Sequence, residues 1–233
     1  MPADLPLLLV PGLMCDERTF AAQTAAFAQA RAVPGWGASD SLPAMAQRLL
    51  ASAPDRFAIL GHSMGARVAL EVIRTAPERV AGIALVSTGV HPVGAGEADK
   101  RYALREVGRT QGMEALVDQW LPPMIAPANR DMPGLYASLR AMCVEQGLPA
   151  FEAQIEALLA RPSVDLLLSA ITCPALSCTG EDDAWSPPRQ AQAIASAIPG
   201  AQLAIIAGAG HFLPAEQPTA LNAAIAAWLA RIG

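Results

Sequence analysis

The sequence predicts an α/β fold, a doubly wound, mostly parallel sheet with a helical cap insertion. Short, continuously apolar runs alternate with helical patterns, as they do in parallel sheets whose strands are buried on both faces. The alternation stops between residues 91 and 171, where only helical patterns occur, and then resumes. The 233 residues are 53% hydrophobic and 16% charged, which suits one large domain with a modest insertion.

The N-terminal part of the sheet is predicted from alternating strands and helices. Strands are expected at residues 5–10, 30–33, 57–60 and 80–86, and helices at 16–29, at 41–53 and directly after Ser63. In that last helix the i, i+3, i+4, i+7 spacing predicts a buried face of Ala66, Ala69, Leu70 and Ile73. The opposite, solvated face is expected to hold Arg67, Glu71 and Arg74.

The C-terminal part of the chain returns to the same alternation. Strands are expected at residues 175–178 and 203–207, with a helix at 188–198 between them. A final helix is predicted from the spacing of its apolar residues, Leu221, Ile225, Trp228 and Leu229.

The intervening residues 92–171, which we call the cap segment, contain only helical spacings, which begin near Met113, Leu135 and Phe151. We assign residues 1–91 and 172–233 to a core domain. Ligands of such sheets bind outside the carboxyl ends of the strands. We therefore expect the cap segment to form the roof of a pocket there.

Charge and composition exclude several classes of function. The net charge is -5 and no block of basic residues occurs, so nucleic acid and anionic membranes are poor partners. The four cysteines lack metal-ligand spacing, and a chain this apolar does not need disulfides. The first twelve residues lack the basic start and the apolar length of a signal peptide. We expect a cytoplasmic monomer or homodimer that acts on a small molecule.

Residues 61–65, Gly-His-Ser-Met-Gly, lie between a predicted buried strand and a predicted helix. In that context G-x-S-x-G is typical of a nucleophile elbow, a turn so sharp that its flanking residues must be small. Such a turn would lift the Ser63 hydroxyl clear of the sheet and point it into the pocket. The motif alone leaves open a second interpretation, a glycine-rich turn with an inert serine.

A nucleophilic serine needs a base, and the chain contains three histidines. His62 lies inside the elbow and His91 lies at the start of the cap segment. His211 follows a predicted strand and precedes the last helix, so its loop is at the carboxyl edge of the sheet, as Ser63 is. We predict His211 as the base; the alternative is a loop histidine that only bonds to local backbone.

The base needs an acid that fixes its tautomer and stabilises the imidazolium. Glu181, Asp182 and Asp183 lie together on the loop after the preceding strand, at the same edge of the sheet. Acidic residues in loops commonly form solvated turns or helix caps. The chain order serine, acid, histidine is the one expected for a nucleophile elbow, so one of the three is predicted to pair with His211.

An oxyanion hole needs two preorganised backbone N–H groups. One is expected from Met64, directly after the nucleophile. The other is expected from Leu13, in the loop after the first strand, where Gly12 allows the backbone to approach closely. An ordinary Pro-Gly turn at the end of a strand is the alternative interpretation of that loop.

These segments resemble the α/β-hydrolases, in the esterase-like group that includes enol-lactonases, carbon–carbon hydrolases and cofactor-free haloperoxidases. The resemblance covers essentially the whole chain and rests on LLLVPG, GHSMGARVAL, RVAGIALVSTG, TGEDDAWSPP and GAGHFLPAEQP, in that order. The family pattern places the acid three residues after a glycine and four before a proline. Counted from Gly180 and Pro187, this pattern selects Asp183, with Asp182 as the fallback.

Two departures from the family are visible in the sequence. Family members usually carry His-Gly before the oxyanion residue, whereas this chain has Pro11-Gly12. The donor is a backbone amide, so the function should survive the change. The first predicted strand is the first central strand of the family, without the N-terminal hairpin that is common there, which is expected to trim the sheet and to leave the site unchanged.

The resemblance implies a serine hydrolase that cleaves carboxylic esters through an acyl-enzyme, without a metal or an organic cofactor. Trp120 and Met124 in the cap segment are predicted to line a pocket for an apolar acyl or alcohol group of small to medium size. Arg130 and Arg140 are candidates for binding a substrate carboxylate, although such arginines more often only face solvent. The alternatives are a lactonase, thioesterase or carbon–carbon hydrolase, a lyase or haloperoxidase-like enzyme, and a slow-turnover binding protein.

Overall fold

A computed structural model of the chain describes residues 5–233. The first four residues lie outside the described part. They include the start of the predicted core domain and of the segment that was assessed as a signal peptide.

One sheet of six strands lies at the centre of the chain. The strands are β1 (Leu7–Val10), β2 (Ala30–Ala32), β3 (Phe57–His62), β4 (Val80–Val86), β5 (Ala175–Gly180) and β6 (Gln202–Ile206). They are arranged in the order β2-β1-β3-β4-β5-β6, and every neighbouring pair is parallel. The structure therefore confirms the predicted α/β class, and β6 begins and ends one residue earlier than predicted.

Both faces of the sheet are covered, which explains why its strands are apolar without alternation. Successive side chains of a strand point to opposite faces. Accordingly Leu7 and Leu9 of β1 belong to one hydrophobic core, and Leu8 and Val10 belong to another. The first core also contains Leu221, Ile225 and Trp228 of the last helix, all fully buried as predicted.

Helices of the core alternate with the strands. They are α1 (Ala21–Ala26), α2 (Leu42–Ser52), α3 (Met64–Thr75), α9 (Pro188–Ala197), α10 (Leu213–Glu216) and α11 (Pro218–Leu229). Ser41 caps α2 because its hydroxyl accepts a hydrogen bond from the amide of Ala44. The helix predicted at 16–29 is instead a 3₁₀ turn, Glu17–Phe20, followed by the short α1.

Between β4 and β5 the described chain contains helices and no strand. These helices are α4 (Glu97–Gln111), α5 (Met113–Trp120), α6 (Leu135–Gln146), α7 (Leu148–Leu159) and α8 (Asp165–Ser169). The spacing of apolar residues predicted α5, α6 and α7. It did not predict α4, whose residues are mostly charged or polar and of which only Gly108 is buried. The division into a core domain and a cap at residues 92–171 stays a prediction.

Helix α3 differs from the sequence prediction on its polar side. Arg67 and Glu71 are 5% and 3% exposed, so the expected solvated face is wrong for both and right only for Arg74. The chain from His91 into the cap segment covers this side of the helix: Arg67 Nη2 donates a hydrogen bond to the carbonyl oxygen of His91, directly before the cap segment, and Arg74 Nη2 donates to that of Ser163 within it. Helical periodicity within α3 contains no information about a segment that packs on it from elsewhere in the chain.

Substitution of Leu221 by Ala should lower the free energy of unfolding by about 2–5 kcal/mol, because it opens a cavity between α11 and the sheet. Leu203→Ala is the matched control, since Leu203 on the edge strand β6 is 44% exposed and Leu221 is fully buried. Urea unfolding measures both variants. An equal loss in the two variants would contradict the placement of α11.

Candidate active site

Ser63 occupies a sharp turn between β3 and α3. Its backbone has φ 55° and ψ -118°, a conformation that is strained for a residue with a side chain. The turn is possible because Gly61 and Gly65 have no Cβ: at Gly65 a Cβ would overlap the carbonyl oxygen of Val10, and at Gly61 the backbone of Ala66. The Ser63 amide donates to the Val86 carbonyl (2.8 Å), which fixes the turn to the neighbouring strand.

Three of the predicted side chains form one hydrogen-bonded series. Ser63 Oγ lies 2.9 Å from His211 Nε2, and His211 Nδ1 lies 2.9 Å from Asp183 Oδ2. Because the Asp183 carboxylate accepts from Nδ1, the neutral imidazole keeps Nε2 as an acceptor for the serine hydroxyl. The arrangement provides a path by which the Ser63 proton passes to His211.

Asp183 is 2% exposed, whereas Glu181 and Asp182 are exposed to solvent. Its carboxylate also accepts hydrogen bonds from the amides of Trp185 (2.9 Å) and Ser186 (2.8 Å) and from the Thr179 hydroxyl (3.1 Å). Burial alone would raise the pKa of Asp183, but attraction to His211, the hydrogen bond from His211 and those from the amides of Ser186 and Trp185 lower it to about 2. Asp183 is therefore ionised at neutral pH and oriented toward His211.

The loop that carries His211 is held by Glu216, a buried residue that the sequence analysis did not select. Its Oε2 accepts hydrogen bonds from the amides of Gly210 (3.0 Å) and Ala126 (2.8 Å) and from Asn129 Nδ2 (2.9 Å). The His211 amide donates to the Met124 carbonyl (2.7 Å). Ala126 and Asn129 belong to the cap segment and Gly210 to the histidine loop, so Glu216 joins the two.

His62, the second residue of the elbow motif, supports His211 through the backbone. Its Nε2 donates to the His211 carbonyl oxygen over 2.8 Å, so Nδ1 is the unprotonated nitrogen. Burial, and secondly the nearby His211, lower the pKa of His62 to about 3. His62 is therefore neutral at physiological pH.

Leu13 and Met64, the two residues predicted to provide oxyanion amides, line the same pocket as Ser63. Among the described residues, neither the Leu13 amide nor the Met64 amide has a hydrogen-bond acceptor.

The loop of Leu13 is held from the cap segment by Gln154, which is fully buried and which the sequence analysis also missed. Gln154 Oε1 accepts from the Met14 amide, and its Nε2 donates to the Gly37 carbonyl, both over 2.9 Å. Met14 has φ 59°, so a side chain from the cap segment stabilises a strained turn.

A cavity of about 330 Å³ opens over Ser63 and His211. Trp120 and Met124 line it, together with Phe212 and Leu158. Arg130 and Arg140 do not: Arg130 is exposed, and Arg140 pairs with Asp118 (2.6 Å) and Glu114 (3.0 Å).

Other arginines, which the sequence analysis did not select, contribute to the cavity wall; they are Arg67, Arg101 and Arg161. No signal in the sequence distinguished them from arginines that face solvent.

Neither a metal-binding cluster nor a membrane-spanning helix is found in the described part of the chain. Over residues 5–233, no group of three or more histidine, cysteine, aspartate or glutamate side chains is arranged to hold a metal ion. None of the helices described here has the length and apolar character needed to cross a bilayer.

The chain is similar to known hydrolases in sequence. A family model described as "Alpha/beta hydrolase family" matches residues 7–224. A pimeloyl-(acyl-carrier protein) methyl ester esterase of Nitrosomonas europaea is 27% identical over 194 residues, which cover 77% of this chain and 75% of that protein.

Two solved structures are similar over nearly the whole chain. A thermophilic esterase from Thermogutta terrifontis, solved with malate bound, has a TM-score of 0.86 and 28% identity, and the match covers 98% of this chain and 90% of that one. An enol-lactonase from Burkholderia xenovorans LB400 has a TM-score of 0.85 and 23% identity, with 97% and 92% of the two chains covered. At 23% identity the second likeness shows the fold alone.

The pKa of His62 makes a pH dependence of stability testable. Between pH 6.5 and about 3 the unfolded chain binds a proton at His62 and the folded chain does not, so stability falls as the pH falls through this window. The difference in free energy of unfolding between wild type and His62→Gln should therefore change with pH, by at most about 1.4 kcal/mol per pH unit.

Urea unfolding at several pH values from 4 to 8 measures this difference. Substituting His91, whose ring is exposed, by Gln provides the matched control. Parallel curves for wild type and His62→Gln below pH 6.5 would contradict a buried, neutral His62.

Proposed function

Because the chain belongs to the alpha/beta hydrolase family, we propose that it hydrolyses carboxylic esters with Ser63 as the nucleophile. The observation that carries the proposal is the series from Asp183 through His211 to Ser63, with contacts of 2.9 Å. Leu13 and Met64, whose amides have no acceptor within the described chain, line the same cavity as Ser63. The esterases from Nitrosomonas europaea and Thermogutta terrifontis, at 27% and 28% identity, support an ester as the substrate.

In the first half of the reaction, His211 Nε2 takes the hydroxyl proton while Ser63 Oγ attacks the ester carbonyl. The carbonyl oxygen becomes an oxyanion, to which the amides of Leu13 and Met64 donate hydrogen bonds. Asp183 stabilises the imidazolium that forms. The tetrahedral intermediate then expels the alkoxide, which receives the proton from His211, and an acyl-Ser63 remains.

In the second half, His211 takes a proton from water as the water oxygen attacks the acyl carbonyl. The second tetrahedral intermediate releases the carboxylic acid and returns the proton to Ser63 Oγ. All the catalytic groups in this cycle belong to the chain, and only the ester and water are supplied from outside. The cycle needs no metal or organic cofactor.

The cavity favours an apolar group of small to medium size next to the ester. Trp120 and Met124 are 3% exposed and form part of its apolar wall with Phe212. Trp120 and Phe212 meet edge to face, with ring centroids 6.4 Å apart, an arrangement that aromatic pairs prefer.

Ser63→Ala should lower kcat for p-nitrophenyl acetate, butyrate and hexanoate by a factor of about 10³ or more, because it removes the attacking oxygen. Release of p-nitrophenol, with titration of the acid produced, measures hydrolysis and separates it from non-hydrolytic reactions. Ser169→Ala is the matched control, since Ser169 is exposed and donates only to the Leu166 carbonyl. Equal activity of Ser63→Ala and wild type would refute the proposal.

Asp183→Asn should lower kcat by about four orders of magnitude, because an amide at this position no longer fixes the productive tautomer of His211. Asp182→Asn makes the same chemical change next to it on an exposed side chain and should retain wild-type kcat. Steady-state kinetics on p-nitrophenyl butyrate compare the two variants. A crippled Asp182→Asn beside an active Asp183→Asn would reverse the assignment of the acid.

A further inference from the structure

The cavity wall contains more positive than negative charge. Arg67, Arg101 and Arg161 line the cavity, and Glu97 is the one carboxylate among its lining residues within the described chain. Lys100 also borders it. An ester with an uncharged, apolar arm does not require this surplus of cations.

Two of the three arginines form ion pairs with a carboxylate of the protein itself. Arg161 forms two hydrogen bonds of 2.7 Å to Glu97 and donates to the carbonyls of Leu158 and Pro92, both over 2.9 Å. Arg101 donates to the same carboxylate over 2.8 Å. Glu97 is therefore saturated, and these contacts fix α4 to the end of α7.

Arg67 is different, because it is buried and has no carboxylate partner. Its one hydrogen bond within the described chain runs from Nη2 to the His91 carbonyl oxygen over 2.9 Å, although a guanidinium has five N–H donors. Two other carboxylates that act on its charge are engaged elsewhere, Glu71 with Arg74 (3.0 Å) and Asp165 with Ser163 (3.1 Å).

Arg67 remains charged in this environment. Burial, and secondly repulsion by Arg161, lower its pKa to about 10, which is still well above neutral pH. Glu97, Glu71 and Asp165 act on this charge from a distance, but none of them accepts a hydrogen bond from it, and a buried charge without a direct partner is energetically unfavourable. A bound anion would relieve both the desolvation and the repulsion, and a carboxylate matches the planar guanidinium with two parallel hydrogen bonds.

Arg67 lies four residues after Ser63 on α3, one helical turn or about 6 Å along the axis. Both residues line the same cavity, and Trp120, Met124 and Leu158 provide apolar surface there. A ligand with its carbonyl at Ser63 and an anion at Arg67 therefore has a short apolar spacer between the two groups.

We propose that Arg67 binds a free carboxylate of the substrate, so that the preferred esters carry a carboxylate a few carbons from the ester bond. The ester reaction itself rests on the function proposed above. The carboxylate site is a property of the cavity, which a non-hydrolysable dicarboxylate also tests.

The kinetic test compares anionic and uncharged esters of similar size. On the acyl side the pair is p-nitrophenyl hemiglutarate and p-nitrophenyl pentanoate, and on the alcohol side it is 4-acetoxybutanoate and butyl acetate. Wild type should prefer the anionic member of at least one pair by tenfold or more in kcat/KM. Arg67→Met should lower that ratio at least tenfold, and Arg67→Lys, which keeps the charge but not the planar fork, should lower it less.

Arg140→Met is the matched control, because it removes a guanidinium that lies outside the cavity. It should keep the wild-type ratio for both pairs. Circular dichroism establishes whether each variant is folded. If wild type hydrolyses these esters without preferring the anionic member of either pair, the carboxylate site is refuted while the ester hydrolase remains, and this outcome does not depend on any variant.

Calorimetric titration of wild type with glutarate separates the two proposals. If none of the esters is hydrolysed, the proposed reaction fails; glutarate binding that Arg67→Met weakens at least tenfold and Arg140→Met does not would then still support the carboxylate site. No detectable glutarate binding in that case would overturn it.

Discussion

The strained turn at Ser63 is the constraint on which the rest of the site depends. The serine oxygen projects from the sheet only because β3 passes into α3 without an intervening loop, and this requires φ 55° at Ser63. That conformation needs Gly61 and Gly65, whose missing side chains let the turn approach Ala66 and β1. Packing of α3 between the sheet and the cap segment offsets the local strain, since most of its residues are buried.

The parallel sheet brings the other groups to the same edge. Leu13 follows β1, Asp183 follows β5 and His211 follows β6, and all three strands run in the direction of β3. Parallel topology places the loops at one edge, but it does not fix their atoms. Buried polar side chains do this: Glu216 holds the histidine loop, and Gln154 holds the loop of Leu13. Glu216 contacts the cap segment and Gln154 belongs to it. The cap-segment side of the cavity and the geometry at Ser63 are therefore coupled.

Electrostatically, the cavity has two different ends. Beside Ser63, the Asp183 carboxylate is satisfied by hydrogen bonds from His211 and from the amides of Trp185 and Ser186, and burial keeps His62 neutral. On the side of α4, two arginines share Glu97, and Arg67 is left without a carboxylate. This difference in charge along the cavity wall is the basis of the proposed carboxylate site at Arg67.

The sequence by itself determined the features that depend on local pattern or local sterics. These include the parallel α/β sheet, the turn at Ser63 and the order of the acidic loop and His211 along the chain. Only the tertiary structure decided which cations meet the cavity: Arg67 was expected in solvent and is buried, whereas Arg140 was a candidate and lies outside. The roles of Glu216 and Gln154 could not be predicted from the sequence, for the same physical reason. Their partners, Ala126 and Met14, are 90 and 140 residues away, and only packing of the cap segment on the sheet edge brings them together.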